Sequence, residues 1–196
     1  MTSISLLDPP VATDLHTLTH AQPACGGRGS EQGQDAQAWA IRCAQPADVA
    51  AVKAMFRALH AFNASLDPRF ALSQTWERHF DAAMQQTLRG EDSLCLIARA
   101  AGTGQPCGFA LATVHRDSGI WHYHEWVDVD ALYVEDAWRG CGLAEALLDG
   151  VCAWAEGIGH SVVQLYVTAS NERAIRFYRH EGFGQTQAIM RKVLAS

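Results

Sequence analysis

Apolar residues recur along this chain at two rhythms, and the switches between them mark out its elements. Residues 40–44 alternate apolar and polar, the period of a half-buried strand. Pro46 and Asp48 suit a helix first turn, and Val49, Val52, Phe56 and Leu59 then recur at helical spacing to about residue 61. A loop over 64–72 holds Asp67-Pro68. Ser73 is the expected N-cap of a second helix with Trp76, Phe80, Ala83 and Leu88 on its buried side. Residues 94–100 and 107–114 read as a hairpin turning at Gly102 and Gly104, and 126–134 as a strand with strict alternation. Ala144, Leu147, Leu148, Val151 and Trp154 mark a third helix that ends near Gly157 or Gly159. Residues 162–167 read as a strand, 171–181 as a short helix stopped by Gly182, and Phe183 onward as a last strand. The order strand, two helices, three strands, helix, strand, helix, strand predicts a single α/β domain with a mixed sheet.

That rhythm is missing before about residue 38. Pro9, Pro10, Pro23 and four glycines break any period, so residues 1–37 read as a mobile tail and 38–196 as the folded domain. His16 and His20 lie four apart in the tail, but no third ligand is near, so they read as solvent-facing and no metal is expected. The net charge of −6 without a basic block argues against nucleic acid as a partner. No apolar run reaches the ~18 residues of a membrane span, and the N-terminus lacks the basic cluster of a secretory signal. The six cysteines show no C-x-x-C pair, and read as reduced thiols of a cytoplasmic protein.

The chemistry concentrates where the strand at 126–134 meets the third helix. Arg139-Gly140-Cys141-Gly142-Leu143-Ala144 sets backbone N–H groups, a helix dipole and a guanidinium around one point, an arrangement suited to a phosphate. The glycines remove the Cβ atoms that would hold a ligand off the backbone. A P-loop would need G-K-[ST], and Leu143 stands where that lysine belongs. A dinucleotide fingerprint would need a third glycine where Glu145 stands, and an acid near the end of the next strand, where 161–169 has none.

The remaining pattern, [QR]-x-x-G-x-[GA], fits Arg139 to Ala144. One strand later, Asn171-Glu172-Arg173-Ala174-Ile175-Arg176-Phe177-Tyr178-Arg179-His180-Glu181-Gly182-Phe183 fits N-x-x-A-x-x-[FL]-Y-x-x-x-G-F. Together, in this element order, they resemble the GNAT superfamily of N-acetyltransferases over about residues 39–194. The resemblance implies a central mixed, mostly antiparallel sheet flanked by about four helices, and direct acetyl transfer from acetyl-CoA to an amine. It places the coenzyme pyrophosphate on Arg139, Gly140, Cys141, Gly142, Leu143 and Ala144, and the pantetheine arm along Leu132, Tyr133, Val134 and Asn171. It makes the Leu132 amide the oxyanion donor and Tyr178 the acid that protonates the departing thiolate.

The general base is less fixed. Asp130 matches the carboxylate that relatives carry two residues before the Leu132 position, and alternation sets Asp128 and Asp130 on one face with Leu132 and Val134. Glu125, His115, His122 and His124 compete with it. His60, Asp67, Tyr123 and Trp126 are the expected walls of the acceptor site, where aromatic and acidic groups would suit a cationic amine. A small-molecule amine is the expected acceptor. A protein or peptide amine, or a non-catalytic acyl-CoA-binding regulatory domain, stay open beside it, and the resemblance is compatible with a homodimer.

Overall fold

The computed structural model describes residues 18–20, 38–192 and 194. The chain divides into two compact units, one ending at Tyr166 and one beginning at Val167. The tail expectation for residues 1–37 therefore lies outside the described residues, except that Leu18–His20 forms a short strand, β1.

Strands β2 (Trp39–Cys43), β3 (Ser93–Ala100), β4 (Pro106–Arg116), β5 (Glu125–Val134) and β6 (Val163–Leu165) complete the sheet of the first unit. The strands lie side by side in chain order, β1 to β6. Every pairing is antiparallel except the last, β5 with β6, so the sheet is mixed and mostly antiparallel.

Helices α1 (Val49–Leu66) and α2 (Trp76–Thr87) pack on one face. Val52, Met55, Phe80 and Met84 meet Cys95, Ile97, Phe109 and Ala131 there. Helix α3 (Leu143–Gly157) buries Leu143, Leu147, Leu148, Val151 and Trp154. A Cβ on Gly150 would come within 2.7 Å of Leu96 Cδ1, so this glycine lets α3 lie close on β3.

Four details depart from the sequence reading. Helix α1 continues five residues past the expected end, because 62–66 carry no breaker before Asp67-Pro68. Thr75 and not Ser73 precedes α2, whose buried position is Met84 and not Ala83. Met84 follows Phe80 by four residues and so continues the same buried face. Phe183 onward forms no strand among the described residues.

Asp48 is the one buried charged residue among those described, 1% exposed. Arg42 Nη1 and Nη2 donate to it at 2.6 and 3.0 Å, Arg99 Nη2 at 2.6 Å, and the Gln45 amide at 2.8 Å. Burial pushes the Asp48 carboxyl up, but the hydrogen bonds from Arg42, Arg99 and Gln45 outweigh it and hold the group well below the usual carboxylate range. The three side chains tie β2, β3 and the turn into α1.

The second unit holds helix α4 (Glu172–His180). Asn171 caps it, its side chain accepting from the Ala174 amide at 3.1 Å. The Phe183 amide closes onto the Tyr178 carbonyl at 2.9 Å, and the Tyr178 and Phe183 rings meet edge to face at 5.7 Å.

Candidate active site

Strand β5 leads through a single 3-10 turn, Asp136–Trp138, into the glycine turn. Gly140 and Gly142 adopt φ of 78° and 81°, which residues with a Cβ resist. A Cβ placed on Gly140 would meet nothing within 4 Å, so the space above the turn is open. The Ala146 amide donates to the Gly142 carbonyl at 3.0 Å. The amides of Leu143, Ala144 and Glu145 therefore stand ahead of the α3 ladder, where the helix dipole adds to their attraction for an anion.

Side chains stitch this turn to the strand. Arg139 Nε donates to the Val134 carbonyl at 3.0 Å, its guanidinium pairs with Asp136, and it lies 5.9 Å from the Tyr133 ring centre. Cys141 Sγ donates to the Trp138 carbonyl at 2.9 Å. The guanidinium expected at the anion point is turned back on the strand, and the backbone amides are the donors that remain there. Tyr133 donates to Glu135 Oε2 at 3.3 Å.

Strand β5 is not the uniform alternation that the sequence suggests. Leu111 on β4 opposes Ala131, whereas Ala112 opposes Val129, so Asp130 is an extra residue in a β-bulge. The bulge changes the phase. Asp130 joins Ala131 and Tyr133 on the face covered by α1 and α2. Val134, opposite Gly108, belongs to the face covered by Leu143 and Leu147 of α3. The shared face expected for Asp130, Leu132 and Val134 is thus corrected by one inserted residue. The β5–β6 ladder pairs Val127 with Val163, Asp128 with Gln164 and Val129 with Leu165, and it stops at the bulge. Among the described residues no strand pairs with Asp130–Val134 on that side, while Leu132 pairs with Ala110 on the other. The two strands therefore part beyond Val129.

A cavity of about 570 Å³ opens against the bulge, between α1, α2, the segment joining them, and β4. Phe56, Trp76 and Phe80 form one wall: ring centres lie 6.1 Å apart for Phe56 and Trp76, and 4.9 Å for Phe56 and Phe80. Asp130 also lines it, accepting from Thr113 Oγ1 at 2.8 Å. Burial among these residues pushes the Asp130 carboxyl above its ordinary value, the Thr113 hydrogen bond opposes that, and the Asp128 charge adds to it. By accessible surface the residue is still exposed, so the carboxylate remains open to water.

His60 lines the cavity as expected. Burial lowers its tendency to protonate, and its Nδ1 is a buried polar atom with no partner among the described residues. The other three expected walls lie elsewhere. Asp67 caps the 3-10 turn Pro68–Phe70 through the Arg69 amide at 3.1 Å and grips the Arg69 guanidinium, and it is Arg69 that lines the cavity. Tyr123 sits 79% exposed in the loop before β5. Trp126 stacks on His115 at 4.4 Å and donates to Asp128 at 3.0 Å.

None of the competing bases lines the cavity. Glu125 pairs with Arg116, His115 lies 3.4 Å from Asp128, His124 contacts the Trp121 carbonyl, and His122 packs on Tyr123. Sequence reasoning placed Phe56, Trp76 and Phe80 on buried helix faces without seeing that they line one cavity. The available signal was the four-residue spacing of aromatic rings on both helices, Phe56 with His60 and Trp76 with Phe80.

In the second unit Tyr178 is packed against Phe177 as well as Phe183, with ring centres 5.1 Å apart. Burial pushes its phenol up to about 12, so the hydroxyl keeps its proton at neutral pH. Among the described residues no group of three or more His, Cys, Asp or Glu is placed to hold a metal, and no helix is long and apolar enough to cross a membrane.

Comparison with known proteins agrees with this geometry. The model of the acetyltransferase (GNAT) family matches residues 58–183. An uncharacterized N-acetyltransferase of Methanocaldococcus jannaschii is 29% identical over 86 residues, 44% of this chain and 38% of that relative, so the chain spans well under half of the relative's length. Among solved structures, a mutant of the BH1408 protein from Bacillus halodurans superposes with a TM-score of 0.69 at 18% identity, over 79% of this chain and 99% of that one. The aminoglycoside N-acetyltransferase AAC(6')-Iy in complex with CoA gives a TM-score of 0.63 at 17% identity, over 82% and 97%.

Proposed function

The chain belongs to the acetyltransferase (GNAT) family, whose members transfer acyl groups from acetyl-CoA, and from that premise we propose that it acetylates a small-molecule primary amine by direct transfer. One observation carries this reading. A single stretch, residues 130–144, holds the bulged carboxylate on the cavity, a strand edge without a partner on one side, and the anion-binding turn.

The coenzyme pyrophosphate accepts from the amides of Gly140 to Ala144. Charge-assisted hydrogen bonds of about 1.5–3 kcal/mol each dominate over the ~0.3–1 kcal/mol of an exposed helix dipole. The pantetheine arm runs along Leu132 to Val134, replacing the pairing that β6 ceases to provide. The amine enters through the cavity as an ammonium. Asp130, directly or through water, takes one proton, and the freed lone pair attacks the thioester carbonyl. The Leu132 amide stabilises the resulting oxyanion. When the carbon–sulfur bond breaks, Tyr178, carried over from its place in the second motif, protonates the thiolate, and the second proton of the nitrogen passes through water to restore the phenol while Asp130 releases its proton to solvent. The amide and free CoA leave.

The test is release of free CoA thiol from acetyl-CoA across polyamines, aminoglycosides, amino acids, arylalkylamines and peptides. Turnover is expected with small amines. Turnover with peptides alone would move the acceptor to a polypeptide, and coenzyme binding without turnover would leave a regulatory acyl-CoA-binding domain.

A further inference from the structure

The cavity beside Asp130 is unlike a polycation site, because its charges are few and mostly already engaged. Of its lining groups, Phe56, Phe70, Leu72, Trp76, Phe80 and Met84 present apolar surface. Asp130 is its single carboxylate. Arg69, its one arginine, is held by Asp67 at the mouth. His60 and His79 complete the titratable lining. A ligand with one ammonium can place it at Asp130 and lay an apolar body along the Phe56–Trp76–Phe80 wall. A ligand with three or four ammonium groups would bring the remainder against apolar rings and an arginine, with no carboxylate for them.

We infer that the acceptor is a monoamine with an aromatic body, an arylalkylamine in chemical class, seated against Phe56, Trp76 and Phe80 with its nitrogen at Asp130. The inference rests on the acetyl-transfer reading above. It names what the cavity selects: one positive charge and a flat apolar body. The cavity of about 570 Å³ holds an arylethylamine with room for a ring substituent. Asp130 keeps its orientation through Thr113, so the ammonium meets a fixed acceptor. The cavity also explains why the bulge is useful, since it turns that carboxylate toward the α1–α2 face and away from α3.

The experiment measures thiol release by the full chain at saturating acetyl-CoA with phenethylamine, tryptamine, propylamine, spermidine and neamine. Phenethylamine or tryptamine is expected to exceed spermidine and neamine in kcat/KM by about tenfold or more. If spermidine or neamine equals or exceeds both arylalkylamines, the substrate class is wrong while acetyl transfer stands. If no amine is turned over, the acetyl-transfer reading fails and this inference with it. A second measurement uses Trp76→Leu. The ratio of kcat/KM for phenethylamine to that for propylamine is expected to fall about tenfold, and to be restored in Trp76→Phe. Both amines are read on the same protein, so a loss of folded material cancels from the ratio. A ratio unchanged in Trp76→Leu would overturn the inference.

Discussion

The glycine turn and the aromatic cavity adjoin the same strand but are built from different materials. The turn is made of backbone: its amides, its left-handed glycines and the start of α3 form the proposed anion site, and its side chains serve to brace it. The cavity is made of side chains drawn from two helices, two strands and a connecting segment. Backbone sites demand particular residues at fixed spacing, because few sequences adopt those φ values. Side-chain cavities demand only surfaces, which many combinations supply. On the proposed reading, the donor end of the reaction is thereby fixed by conformation, and the acceptor end by composition.

Four substitutions would break or sharpen this contrast. Tyr178→Phe belongs to neither region and should separate chemistry from binding: turnover falls by ~10²–10⁴-fold, about 3–5 kcal/mol, with both affinities retained. Unchanged turnover in steady-state kinetics would remove Tyr178 as the acid. Asp130→Asn, on the cavity side, should lower kcat/KM for the amine by about 10²-fold and leave coenzyme affinity intact. The carboxylate acts in its charged form, so wild-type activity declines as pH falls through its raised pKa, and the Asn variant should lose that acid limb. A pH profile that keeps the limb would assign the base elsewhere.

Gly142→Val, on the turn side, forces a β-branched residue to a φ of 81°, with strain of about 1–3 kcal/mol. Coenzyme affinity measured by calorimetry should weaken roughly tenfold, with the order of preferred amines unchanged. A changed amine preference would show that the two regions are not separable. The smallest effect on catalysis is expected from Asp48→Asn, remote from the cavity lining. It should cost about 1.5–3 kcal/mol of stability and lower Tm by roughly 4–10 °C, with kcat retained where the protein stays folded. Because the folded-state pKa of Asp48 is depressed, its contribution is present above the unfolded value near ~3.9 and disappears as pH falls through the folded value. Urea titrations of parent and variant should therefore converge in acid.

The same contrast explains what the sequence discloses. Gly140 and Gly142, the Asn171 cap and the alternating strands are local features, readable from a few neighbouring residues. The family and the mixed sheet follow from them. Asp130 was legible as a residue, but its facing was not. A bulge is defined by the partner strand, and nothing between Trp126 and Val134 announces that Leu111 and Ala112 skip a residue. Asp67, Tyr123 and Trp126 have the right chemistry for a cavity wall, yet each satisfies a nearer neighbour: a turn, open solvent and a stacked histidine. The buried Asp48 looked like an ordinary first-turn acid, because Arg42 and Arg99 meet it only once β2 and β3 pair. Ser73 misses the helix start by two residues because helix ends are weakly determined by a periodic pattern, and i+3 and i+4 after Phe80 are alternatives that only packing decides in favour of Met84.

The stop in the β5–β6 ladder at Asp130 makes an edge inside the sheet. Exposed strand edges invite pairing with other chains, and proteins ordinarily blunt them with charge, proline or a covering segment. Here the exposed length runs from Asp130 to Val134 and opens with a carboxylate on a bulge, itself an edge-guarding device. The amide groups of pantetheine are of the kind that a missing strand would present. On the proposed reading the coenzyme takes the place of the neighbour that this edge lacks among the described residues, and each catalytic cycle completes and then reopens the protein's own secondary structure.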